Sequence, residues 1–176
     1  MVGRLDPHRV AVGGHSIGGS FVFDLSLTDH RVAAAFDLDG ALFGPAATHT
    51  LTVPALAILA DMDAISVGDL AVTGSTADVS RQTLTRLATA KDIVSVAIRN
   101  ARHYDVTDLP AIAPALPAAV RAVAMQGAGT IGRAGTVTTN TVVRRFLDAA
   151  LAPEHRPATV AELTTGLPAA TAYPVR

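Results

Sequence analysis

Six consecutive residues, Gly14-His15-Ser16-Ile17-Gly18-Gly19, carry the pattern Gly-x-Ser-x-Gly. A serine hydroxyl attacks a carbonyl efficiently only when an imidazole takes its proton. That imidazole in turn needs a carboxylate to hold its tautomer. The glycines suit a sharp strand-to-helix turn, because side chains two residues before and after a strained serine would clash. Gly14, Gly18 and Gly19 fill those positions. Such a turn places the hydroxyl at a helix N-terminus, whose partial positive charge faces a developing oxyanion. The backbone N–H of Ile17 is the expected oxyanion-hole donor.

The chain offers six histidines as partners. His8 and His30 fall near the starts of apolar runs, at the wrong edge of a sheet. His15 adjoins the serine, but strand-to-turn geometry aims it elsewhere. His49 falls in a loop and His155 in the tail. His103 follows directly after the last apolar run, where the base belongs in the chain order serine, acid, histidine. For the acid, Asp39 ends the second run, and Asp63 (or Asp61) ends the third. Asp37 reads as a strand or capping residue. The residues alone leave Asp39 and Asp63 both open.

These side chains need a frame that brings distant positions to one rim. Residues 9–13, 32–36, 55–59 and 93–98 are apolar runs, each followed by polar residues. Helical spacing appears over residues 17–27, 80–90, 111–125 and 140–151, while residues 44–53 read as loop. Gly127, Gly129, Gly132 and Gly135 mark a loop before the last helix. Apolar runs alternating with helices predict an α/β fold, with about four parallel strands and helices on the faces. Ligands of such sheets bind beyond the carboxyl ends of the strands. Ser16, Asp39, Asp63 and His103 each follow a predicted strand.

Composition narrows the classes. Of 176 residues, 49% are hydrophobic and 16% charged, so a filled core is expected and long disorder is not. A net charge of −1 without a basic stripe argues against nucleic-acid binding. There is no cysteine, hence no disulfide or thiolate metal site. No apolar stretch reaches the ~18 residues of a membrane span.

The motifs resemble those of a known group. Gly14-His15-Ser16-Ile17-Gly18-Gly19 is similar to the serine turn of α/β-hydrolases, and in particular of platelet-activating-factor acetylhydrolases and their bacterial relatives. Phe36-Asp37-Leu38-Asp39-Gly40-Ala41-Leu42-Phe43-Gly44 resembles the strand-end segment of that family, whose Asp is the triad acid; the resemblance therefore points to Asp39. His103-Tyr104-Asp105-Val106-Thr107-Asp108-Leu109-Pro110 resembles its histidine loop, with Val106 where Phe is usual. Residues 142–151 and the ending Ala172-Tyr173-Pro174 look like its last helix and tail. Asp61-Met62-Asp63-Ala64-Ile65 also resembles the acid loop of dienelactone and polyester hydrolases, which use an acid at Asp63.

The resemblance implies a partial α/β-hydrolase fold. Residues 1–176 would be the carboxy-terminal half of one domain, with the strands before the serine turn absent and residues 153–176 an irregular tail. It implies a serine hydrolase of carboxylic esters, of short-acyl or acetylated-phospholipid type, with Ser16, His103 and Asp39 as triad. Neither metal nor cofactor is required. The segment that normally donates a second oxyanion N–H would lie in the absent half. The first strand, Val10-Ala11-Val12, would then present an apolar edge to a second copy or a partner chain, leaving this chain alone impaired.

Overall fold

An uninterrupted apolar run is what a strand covered on both faces requires. The four runs form β1 (Val10–His15), β2 (Val32–Leu38), β3 (Ala55–Ala60) and β4 (Ile93–Ile98), in a computed structural model that describes residues 6–61, 75–154 and 156–174. They pair in sequence order and in parallel, with β1 at one edge of the sheet. All six residues of β3, at the centre, are buried. The parallel register sets His15 opposite Leu38 and Ala60 opposite Ile98, so the carboxyl ends of the strands share one rim.

Side chains alternate across each strand and fill two cores. On one face Ala35, Ala57 and Leu59 meet Phe23 of α1 (Ile17–Thr28) and Leu87 of α2 (Ser75–Thr89). On the other, Leu56, Ile58, Val96 and Ile98 meet Val142, Phe146 and Ala150 of α5 (Arg133–Ala150) and Leu163 of α6 (Val160–Thr164). Phe23 and Phe146 are fully buried, and each such side chain stabilises the fold by about 2–3 kcal/mol. On α1 the residues Ile17, Phe21 and Leu25, four apart, stay exposed.

Several elements depart from expectation. The helix expected over residues 111–125 is broken into α3 (Leu109–Ile112), a 3₁₀ turn (Ala113–Ala115), α4 (Ala118–Ala124) and a second 3₁₀ turn (Met125–Gly127). Pro114 and Pro117 lack the N–H groups that a continuous helix needs. Conversely, α5 begins at Arg133, two turns before its apolar spacing, with Gly132 at φ 55° in its N-cap position. The tail is not an irregular strap. Thr159 and Glu162 form a reciprocal capping box that starts α6, and β5 (Ala170–Ala172) pairs antiparallel with β4. The sheet thus has a fifth strand beside the four expected, and among the described residues no helix is long and apolar enough to cross a membrane.

Candidate active site

Parallel pairing brings the ends of β1, β2 and β4 together, and the chain turns sharply after each. Ser16, Asp39 and Asn100 hold φ of 58°, 55° and 59°, in the left-handed region. For a side chain larger than glycine this costs about 1–3 kcal/mol, and packing must impose it. At Ser16 (ψ −126°) the restraints are visible. Its N–H donates to the Leu38 carbonyl at 3.0 Å, and its own carbonyl accepts from Ser20 N at 3.1 Å.

Two of the three glycines explain how the turn closes. A Cβ at Gly14 would lie 2.4 Å from the Gly18 carbonyl, and one at Gly19 would lie 1.8 Å from Asp37 Oδ1. Gly18 differs from expectation: a Cβ there would meet open space among the described residues. The steric requirement therefore falls on Gly14 and Gly19. Ile17 is the first residue of α1, so its N–H has no acceptor within the helix and lies next to Ser16.

Asp39 is oriented through both carboxylate oxygens. Oδ1 accepts from the Ala60 N–H at 2.8 Å, and Oδ2 lies 2.7 Å from His103 Nδ1. Its own N–H donates to the Ile58 carbonyl at 2.7 Å, tying it to β3. The acid side chain is 10% exposed and the imidazole 33%. A carboxylate only accepts, so the proton of this pair sits on Nδ1, which makes Nε2 the acceptor in the neutral ring.

The loop carrying His103 is held from below by Asp105, which is fully buried. Its Oδ2 accepts from Arg102 N at 2.9 Å and from Gly129 N. Thr136 of α5 donates to the Thr107 carbonyl at 2.8 Å, which fixes the far side of the loop.

Asp37 is 1% exposed on β2, as a strand residue that also caps the following turn: its Oδ1 accepts from Gly40 N at 2.8 Å. Burial pushes its carboxyl up to about 7. Asp61 is half-buried at the end of β3, whereas Asp63 and His155 lie outside the described residues. His8 and His30 precede β1 and β2, at the opposite rim. His49 is exposed in the loop before β3, with Nδ1 2.9 Å from the Pro45 carbonyl.

His15 is where the sequence reading failed. It does not point away from the site. Its Nε2 lies 2.9 Å from the His103 carbonyl oxygen, and the two rings stand 4.4 Å apart at 39°. Tyr104 completes the cluster, its ring 5.4 Å from that of His103. Strand alternation held the signal: His15 shares a face with Ala11, which packs on the core under α5. Among the described residues, no group of three or more His, Asp or Glu converges as a cation site would require.

No protein-family model matches the chain, and no curated protein sequence matches it. Among solved structures it is similar to a ferulic acid esterase from Streptomyces cinnamoneus, with a TM-score of 0.69 and 25% sequence identity. The match covers 97% of this chain and 48% of the esterase, so the chain spans about half the length of that structure. Its fold is accordingly that of part of an α/β-hydrolase.

Proposed function

We propose that this chain carries the catalytic residues of a serine hydrolase acting on carboxylic esters. The observation that carries the reading is the 2.7 Å contact between Asp39 Oδ2 and His103 Nδ1, at the strand rim where Ser16 stands at φ 58°. In this reading Ser16 Oγ attacks the ester carbonyl while His103 Nε2 takes its proton. Asp39 holds the ring and stabilises the imidazolium that forms. The oxyanion accepts from the Ile17 N–H at the start of α1. His103 then gives its proton to the departing alkoxide, leaving an acyl-Ser16. Water, deprotonated by the same imidazole, adds to the acyl carbon and releases the acid, and Oγ recovers its proton. No step needs a metal or an organic cofactor.

The similar structure is an esterase, which supports the ester-hydrolase reading. The resemblance of the three motifs to platelet-activating-factor acetylhydrolases favours short acyl groups, including acetyl esters of phospholipids. Ile17 and Phe21, exposed one turn apart on α1 beside the serine, present an apolar surface suited to a lipid. A fluorophosphonate probe should label the chain at Ser16, and Ser16→Ala should abolish labelling. Undiminished labelling of that variant would remove the serine from the reaction. Turnover of an acetylated phospholipid above that of a feruloyl ester would support the acyl preference.

A further inference from the structure

We propose that His15 is a positioning residue: its Nε2–H, donated to the His103 carbonyl, and its ring, packed on the His103 imidazole, clamp the base's loop to strand β1 beside Ser16. The inference rests on reading His103 as the base.

The geometry gives His15 this part because of where each histidine is rooted. His103 sits in a loop, five residues beyond the end of β4. His15 is the last residue of β1, in the parallel ladder opposite Leu38 and covalently next to Ser16. A contact between the two ties a loop residue to the element that also fixes the hydroxyl. The Asp39 carboxylate sets the tautomer and tilt of the His103 ring from one side. The 2.9 Å contact from His15 instead holds the backbone of residue 103, and the two restraints act on different parts of the same residue.

The chemistry of the contact is one-way. A carbonyl oxygen only accepts, so His15 must carry its proton on Nε2. Neutral His15 then has Nδ1 as acceptor. Burial lowers the basicity of His15 by more than its contact with the His103 carbonyl raises it, and the His103 ring adds to the lowering. Among the described residues, the charged and titratable groups around the pair are Asp39, on the far side of His103, buried Asp37 on β2, and the exposed Tyr104. With His15 neutral, the positive charge that develops during turnover belongs to His103, where Asp39 is in contact with it.

The test uses the chain labelled with ¹⁵N-histidine, because long-range ¹H–¹⁵N spectra report each ring's tautomer without any turnover. His15 should appear as the Nε2–H tautomer and His103 as Nδ1–H. In His15→Leu the His103 Nδ1–H should exchange with solvent roughly tenfold faster. On a p-nitrophenyl ester kcat should fall roughly tenfold at unchanged KM, about the effect of one net hydrogen bond. His15→Gln keeps a side-chain N–H donor and should recover most of both losses. A His103 signal unmoved in His15→Leu, or a Gln variant no better than Leu, overturns the proposal. Absence of ester turnover in the wild-type chain would count against the esterase reading alone, since the spectra still decide the clamp.

Discussion

Replacing Asp37 by Asn should stabilise the chain at neutral pH and remove a pH dependence that runs opposite to that of most carboxylates. Asp37 lies 1% exposed beneath the serine turn. Burial raises its carboxyl from 3.8 to about 7; the Gly40 N–H opposes the shift and the charge on Asp39 adds to it. In the unfolded chain the same group loses its proton near 3.8. Between those limits the folded state binds more protons than the unfolded one, so stability falls as pH rises, by about 1.4 kcal/mol per unit. Over a window of about three units the loss reaches roughly 4 kcal/mol, complete above about pH 7 and absent below about pH 4. Asn keeps a carbonyl oxygen for the Gly40 N–H and carries no charge, so its curve lacks this fall. His15 contributes with the opposite sign. Burial lowers its pKa below 6.5, so the stability it contributes is present above 6.5 and lost as pH falls through its folded-state value. The difference between wild type and Asp37→Asn, measured at each pH by urea unfolding, cancels that contribution. The difference should grow steadily from about pH 4 to about pH 7 and then level off. Parallel curves over the whole range would show that burial does not hold the Asp37 proton.

Asp39→Asn should reduce kcat on a p-nitrophenyl ester by roughly 10⁴-fold, as expected when the acid that fixes the tautomer is lost; a variant within tenfold of wild type would return the acid's role to Asp63. Asp105→Ala strips the acceptor from the N–H groups of Arg102 and Gly129, and should lower unfolding free energy by roughly 3 kcal/mol in urea titrations. The same variant should broaden the His103 imidazole resonances, since its turn loses its internal tie. Unchanged stability would mean that this buried carboxylate does not support the loop.

The sheet was legible because a strand buried on both faces must be written in apolar residues, one after another. The run 93–98 coincides with β4, those at 32–36 and 55–59 stop one or two residues short of the ends of β2 and β3, and that at 9–13 starts one residue before β1 and stops two short of its end. Where local pattern competes with packing, the reading slipped. Residues 111–125 keep an apolar spacing that Pro114 and Pro117 interrupt. The first two turns of α5 contain Gly135, which reads as loop in one dimension but packs against the Asp105 backbone in three. Strand β5, Ala170-Thr171-Ala172, is too short to carry a pattern, and only its pairing with β4 makes it a strand.

The sequence by itself determined the kinds of groups present and their order: a serine in a tight glycine turn, carboxylates after later strands, and an imidazole after the fourth. It also determined that these strands run parallel, which sends their carboxyl ends to one rim. Only the tertiary structure decided that Asp39 meets His103 across 64 positions of chain, and that His15 reaches the carbonyl of the same residue across 88. The physical reason is that periodicity and turn chemistry act over a few residues. The meeting of two distant side chains depends on sheet register and loop packing, which no short window of sequence contains.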